Sequence, residues 1–105
     1  MYEKQNKHNP AVRELKFSQG RRNESESRAL CTAIKRHLPY KPLKFMNEMT
    51  FRTKHEGDEI FRATSIRWSE HFPYIVPELV SEDGDYMLIT WLTYGSLIRL
   101  FNAVR

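Results

Sequence analysis

Cysteine is almost absent from this chain of 105 residues, which contains only Cys31. One cysteine cannot form an intramolecular disulfide, so the sequence excludes a secreted module held together by disulfides. Glycine is also scarce, and its four positions stand apart from one another: Gly20, Gly57, Gly84 and Gly95. Because no Gly-rich phosphate-binding loop is present, the sequence does not indicate a nucleotide-hydrolysing or dinucleotide-binding protein.

Long apolar runs are missing as well. The longest uncharged stretch covers residues 86–98, whereas a membrane-spanning helix needs about 20 apolar residues. The first nine residues are polar and have none of the apolar run of a secretory signal. We therefore expect a cytoplasmic protein with no membrane partner.

Catalytic and metal-binding motifs are also lacking. The four histidines are scattered, and neither an HExxH motif nor a calcium-loop spacing occurs. Cys31 shares an apolar helix stripe with Ile34 and Leu38, which predicts a buried structural cysteine. We predict no catalytic residues, no metal site and no cofactor, and therefore a non-enzymatic protein.

Charge is distributed unevenly along the chain. Residues 1–54 carry 13 basic and 5 acidic side chains, a net charge of +8, whereas residues 55–105 carry 4 and 8, a net charge of −4. The total of +4 therefore combines a basic half with an acidic half. Such asymmetry suggests a partner for at least one half, although two solvated faces would give the same pattern.

The first 22 residues differ in composition from the rest. They contain six Lys and Arg residues, and only Val12, Leu15 and Phe17 are typical of a core. So little apolar surface cannot offset the entropy cost of ordering the segment. We therefore predict a flexible basic arm at 1–22, followed by a single domain at 23–105.

A helix is predicted over residues 24–37. Asn23 can cap it, with Glu26 three residues later reaching back as in a capping box. Apolar residues then recur at helical spacing along one stripe: Leu30, Cys31, Ile34 and Leu38. Pro39 ends the helix, because the residue before a proline avoids the α-helical conformation.

Beyond the helix, β-branched and aromatic residues in short runs predict strands. The expected elements are a linker at 40–47, strands at 49–54, 59–68, 74–80 and 86–92, and a helix at 97–104. Pro77 indicates that the third strand lies at a sheet edge or contains a bulge. The strongly apolar run at 86–92 predicts a central strand. A single helix over 86–104 is the main alternative.

These elements predict an α+β fold in two layers. The predicted order is an N-terminal arm, one helix, about four antiparallel strands in a meander, and a short C-terminal helix. A core of this size leaves only a few kcal/mol of net stability. The amphipathic last helix and the strand with Pro77 therefore suggest a homodimer that buries spare apolar surface.

The basic residues carry the strongest functional signal. Clustered Lys and Arg neutralise phosphates, and flexible basic arms commonly fold onto nucleic acid. We predict a small nucleic-acid-binding protein, for DNA or RNA, whose phosphate contacts are Arg13, Lys16, Arg21, Arg22, Arg28, Lys35, Arg36, Lys41 and Lys44. Tyr40, Phe45 and Phe51 lie among these residues and offer base-stacking surfaces, unless they belong to the core.

The acidic half supports a second hypothesis, a protein-interaction module that acts as an inhibitor or adaptor of a nucleic-acid-processing enzyme. Its carboxylates gather at two predicted turns and could dock on a basic groove of a larger protein. The residues are Glu56, Asp58, Glu59, Glu82, Asp83 and Asp85.

A third hypothesis is a small ribonuclease. Arginine and lysine side chains on adjacent strands could stabilise the charge of a cleaving phosphodiester. The candidates are Arg52, Lys54, Arg62 and Arg67, with His55 or Glu59 as acid or base.

Overall fold

The computed structural model describes residues 23–54, 57–71 and 74–104, so the predicted arm at 1–22 lies outside the described residues. Two helices and a four-stranded sheet form the domain, which confirms the predicted α+β class. The helices are α1 (Glu24–Lys35) and α2 (Tyr94–Val104). The strands are β1 (Leu43–Thr53), β2 (Glu59–His71), β3 (Tyr74–Val80) and β4 (Tyr86–Leu88).

Helix α1 begins with the capping box that the sequence predicts. The Asn23 side chain accepts a hydrogen bond from the Glu26 backbone N–H at 2.8 Å, and the Glu26 carboxylate accepts one from the Asn23 N–H at 3.3 Å. Each bond satisfies a donor that the first helical turn leaves open. The helix ends at Lys35, two residues before the predicted end, because a turn ahead of Pro39 replaces the last residues.

The sheet is an antiparallel meander in the order β1-β2-β3-β4. Strand β1 begins at Leu43, inside the segment predicted as a linker. Between the pairs Lys44↔Ser65 and Met49↔Ala63, β1 has four residues where β2 has one. This bulge interrupts the polar–apolar alternation along β1. The sequence pattern of residues 43–48 therefore does not predict a strand.

Strand β3 is an interior strand and its pairing with β2 contains no bulge, so the predicted edge or bulge was wrong. It pairs with β2 along its whole length, whereas the three residues of β4 pair only with residues 78–80. Pro77 lies next to the segment that β4 pairs and not within it. The missing N–H of proline is tolerated at such a position.

The predicted central strand at 86–92 was also wrong, because the strand stops at Leu88 and is an edge strand. A 3₁₀ turn (Ile89–Trp91) follows, and Leu92 then bridges to Thr53 at the end of β1. The buried chain thus crosses from one sheet edge to the other. Periodicity alone does not separate such an apolar crossing from a buried strand. The alternative helix over 86–104 does not form either.

Both helices contribute to one core against one face of the sheet, in two layers. Helix α2 begins at Tyr94, three residues before the predicted start. The fully buried large side chains of the core are Leu30, Ile34, Phe51, Leu79, Ile89, Leu92, Leu97 and Leu100. No helix in the described part of the chain is long and apolar enough to cross a membrane.

Candidate nucleic-acid interface

The predicted phosphate contacts divide into two groups. Arg13, Lys16, Arg21 and Arg22 lie outside the described residues, so their predicted role stays a prediction. The structure places the other five on the surface: Arg28, Lys35, Arg36, Lys41 and Lys44. Four of these five lie between the last turn of α1 and the second residue of β1.

Arg28 lies earlier on α1 and is held by two neighbours. Its guanidinium lies 3.4 Å from a carboxylate oxygen of Glu24 and 4.9 Å from the centre of the Tyr74 ring. A cation over an aromatic ring is stabilised by the negative face of the ring. Arg28 is thus held by Glu24 and Tyr74, about two helical turns before Lys35.

An aromatic pair lies beside the C-terminal end of α1. The rings of Tyr40 and Trp68 meet edge to face, with centroids 4.9 Å apart and an angle of 69° between their planes. The Trp68 indole N–H donates to the Pro39 carbonyl oxygen at 2.9 Å, which fixes the tryptophan against the chain before Tyr40. We call Tyr40 and Trp68 the stacking platform.

The stacking platform is open to solvent on a basic surface. The Tyr40 side chain is 70% exposed. Together with Lys35 and Ile75, the two rings line a cleft of about 220 Å³. Lys41, which follows Tyr40 directly in the chain, is also exposed.

The other predicted stacking residues belong to the core. Phe51 is fully buried, and Phe45 is half-buried with its ring centroid 6.2 Å from that of Phe51. Sequence reasoning missed Trp68. It lies in the part of β2 beyond Ile66, where β1 no longer pairs, and its pairing partner on β3 is Pro77.

The two acidic turns lie at the same end of the meander but at different levels. Ser65 of β2 pairs with Val80, the last residue before the second turn. Glu59, beside the first turn, is the first residue of β2 and lies six positions before Ser65. At about 3.3 Å per residue, this offset is roughly 20 Å.

The acidic residues also differ in their partners. Asp58 accepts two hydrogen bonds from Arg52, at 3.1 and 3.0 Å, and lies 3.9 Å from the Lys54 ammonium. The other described members of the set are exposed, namely Glu59, Glu82, Asp83 and Asp85. Glu56 lies outside the described residues.

The basic residues of the ribonuclease hypothesis do not form one group. Asp58 engages both Arg52 and Lys54, and Glu48 binds Arg62 through two hydrogen bonds of 2.9 and 2.7 Å. Arg67 lies in the other half of β2 and has a different partner. Of the predicted acids and bases, His55 lies outside the described residues and Glu59 is exposed.

A buried carboxylate is the second cluster of chemical interest. Glu78 is 2% exposed, and its Oε1 accepts hydrogen bonds from Arg67 Nε and Ser69 Oγ, both at 2.7 Å. Its Oε2 is hydrogen-bonded to Nε2 of His71. We call Arg67, Ser69, His71 and Glu78 the carboxylate cluster.

The surroundings of Glu78 have opposing effects on its charge. Burial raises the pKa of the carboxyl, because it removes water from the charged form. The hydrogen bonds from Arg67, Ser69 and His71, with the charge of Arg67, outweigh burial and hold this pKa below its usual range. Glu78 is therefore an anion at neutral pH.

His71 and its sequence neighbour Glu70 lie on opposite faces of β2. Glu70 pairs with Ile75, whereas the side chain of His71 lies on the same face as that of Glu78. The cluster does have a sequence signal: three polar residues alternate along β2 opposite the only carboxylate of an otherwise apolar strand.

Cys31 is buried, as predicted. Its thiol lies 3.5 Å from the Ile75 carbonyl oxygen, to which it donates. Burial raises the pKa of the thiol, and the charge of Lys35 lowers it by less. In the described residues, no three His, Cys, Asp or Glu side chains converge in a way that could hold a metal ion.

No protein-family model, curated protein or solved structure matches this chain.

Proposed function

We propose that the protein binds single-stranded nucleic acid, with one base on the stacking platform and the flanking phosphates on the surrounding cations. The observation that carries this proposal is the exposed Tyr40 ring, fixed edge to face against Trp68 beside Lys35. Aromatic rings that accept a base by stacking, beside cations that hold the backbone, are typical of single-strand binding.

The local charge fits this role. Lys35, Arg36, Lys41 and Lys44 are exposed within ten residues of one another, and Tyr40 belongs to the same stretch of chain. The basic residues of the arm would extend the same phosphate contacts. A double helix keeps its bases stacked, whereas a single strand can place one on a protein ring.

Salt dependence of binding tests the electrostatic part of the proposal. Fluorescence anisotropy with a labelled 12-nucleotide single strand gives the dissociation constant at several salt concentrations. If roughly six phosphates are neutralised, the logarithm of the association constant falls with the logarithm of salt concentration with a slope of about −4. A slope near zero would contradict the proposal.

Matched charge reversals test the location. Lys35→Glu and Lys41→Glu should each weaken binding and make the slope shallower by about 0.7 or more. Lys54→Glu is the control, because it makes the same charge change at the far end of β1, beside Asp58. Equal losses in all three variants would show that net charge, and not this surface, controls binding.

A further inference from the structure

His71 is fixed through one ring nitrogen and open at the other. Its Nε2 bonds to Glu78, and its Nδ1 has no hydrogen-bond partner among residues 23–54, 57–71 and 74–104. The side chain is 32% exposed, and the Tyr86 ring centre lies 5.7 Å from that of the imidazole. Because the Glu78 anion can only accept, neutral His71 carries its proton on Nε2 and a lone pair on Nδ1.

Arg67 is held in the same way. Its Nε bonds to Glu78, while its two terminal nitrogens have no partner in the described part of the chain and its side chain is 46% exposed. One buried carboxylate therefore holds two side chains close together. The pair presents a proton acceptor and a fixed positive charge at the surface.

The carboxylate cluster and the stacking platform share one stretch of chain. Residues 67–71 of β2 lie beyond Leu43↔Ile66, the last pair with β1, so β1 does not cover this edge. Successive residues of a strand point to opposite faces. Trp68 thus faces the platform side, and Arg67 and His71 face the other side of the same uncovered edge.

We propose that the carboxylate cluster cleaves RNA, using the 2′-hydroxyl of the substrate as nucleophile. This proposal rests on the binding role of the stacking platform, since a strand that stacks on Trp68 can pass around the uncovered edge to His71. RNA brings its own nucleophile, so a base and a cation suffice for the reaction. A DNA strand lacks that hydroxyl and is bound without being cut.

Cleavage needs only the RNA strand, the His71 imidazole and water. His71 Nδ1 takes the proton of the 2′-hydroxyl while the 2′-oxygen forms a bond to the adjacent phosphorus. The bond between phosphorus and the 5′-oxygen breaks, which leaves a 2′,3′-cyclic phosphate and a 5′-hydroxyl. Water protonates the leaving 5′-oxygen, and the hydroxide that remains takes the proton from His71.

The other members of the cluster have separate roles. Arg67 donates its terminal N–H groups to the phosphoryl oxygens, where negative charge grows during the reaction. Glu78 is buried and already accepts three hydrogen bonds, so it is a positioning residue that orients His71 and stabilises the imidazolium.

The experiment compares two labelled oligonucleotides of the same sequence, one all-deoxy and one with a single ribonucleotide. The purified full chain should cut only the second, at the ribonucleotide, and the product should carry a 2′,3′-cyclic phosphate. His71→Ala and His71→Gln, from the same purification, should cut at least about 100-fold more slowly, the usual effect of losing a general base. Circular dichroism checks that each variant is folded.

Glu78→Gln on β3 and Glu70→Gln on β2 form a matched pair of substitutions. Glu78→Gln should slow cleavage of the bound ribonucleotide strand and leave the dissociation constant of the all-deoxy strand unchanged, because a neutral amide orients His71 less firmly and lies outside the stacking platform. Glu70→Gln, an exposed change beside His71 but on the opposite face, should leave the cleavage rate at saturating protein unchanged.

The outcomes separate cleavage from binding. If both oligonucleotides bind and the ribonucleotide stays intact, the cleavage proposal is overturned and the binding proposal survives. Cleavage at wild-type rate in His71→Ala identifies a contaminating nuclease and also overturns the proposal. If neither oligonucleotide binds, the binding proposal is overturned, and the cleavage proposal that rests on it is overturned as well.

Discussion

Arg67 and Glu78 face each other across β2 and β3, with Arg67 Nε 2.7 Å from Oε1 of a carboxylate that is almost fully buried. Ser69 and His71, from the same strand as Arg67, complete the set of donors. A buried carboxylate is strongly destabilising unless it is paired and hydrogen-bonded. The described partners that offset this cost for Glu78 all come from β2.

The low pKa of Glu78 makes stability depend on pH. A carboxyl whose pKa is lower in the folded state stabilises the fold above its unfolded pKa, about 4.3 for glutamate. That contribution is lost as the pH falls below this value towards the folded pKa. Urea unfolding between pH 3 and 7 should therefore show a loss of stability on the acidic side.

Glu78→Gln should remove this part of the pH dependence. It should also lower the free energy of unfolding at pH 7 by about 1–3 kcal/mol, because the donors that face the buried group lose a charged acceptor. Glu70→Gln is the exposed control. The same acid-side slope in wild type and Glu78→Gln would show that other groups cause it.

The capping box of α1 should make a measurable contribution to stability. Asn23→Ala removes the acceptor for the Glu26 N–H and should lower the free energy of unfolding by about 1 kcal/mol. Ser25→Ala, an exposed change inside the same turn, should be neutral or slightly stabilising. Urea midpoints of the two variants would be compared, and equal values would contradict a role for the cap.

Two glycines should respond to alanine in opposite ways. Gly84 has a φ of 94°, which L-residues rarely adopt, so Gly84→Ala should destabilise the turn by about 1 kcal/mol. Gly95 lies in the first turn of α2 with open space around it, so Gly95→Ala should stabilise by up to about 1 kcal/mol. Thermal unfolding gives both values. Destabilisation by Gly95→Ala would show that the helix start needs glycine.

Local signals in the sequence predicted much of the fold. Asn23 and Glu26 marked the start of α1 because a capping box involves only neighbouring residues. The bulge in β1 and the crossing at Ile89–Trp91 were missed, since both depend on pairing with distant chain. An apolar run indicates that a segment is buried, but it does not distinguish a strand from a buried turn or helix.

The candidate sites were harder to predict than the fold. The surface position of Lys35 and Lys41 followed from helix spacing and composition. The contact between Tyr40 and Trp68 joins residues 28 apart, and the carboxylate cluster depends on the register of β2 against β3. Register is set by the whole sheet, so sequence alone left Glu78 in an apolar strand with no partner.

Tyr40 provides the sharpest test of base stacking. Tyr40→Ala removes an exposed ring without opening the core and loses one edge-to-face contact with Trp68, so the free energy of unfolding should fall by no more than about 1.5 kcal/mol. The dissociation constant for a single strand should rise about 5- to 150-fold, as stacking of one base contributes about 1–3 kcal/mol. Tyr40→Phe keeps the ring and should bind as the wild type does. Because the charge is the same in all three proteins, the salt dependence of binding should also stay the same. Wild-type affinity in Tyr40→Ala would mean that no base stacks on this ring, and the cations alone would then account for binding.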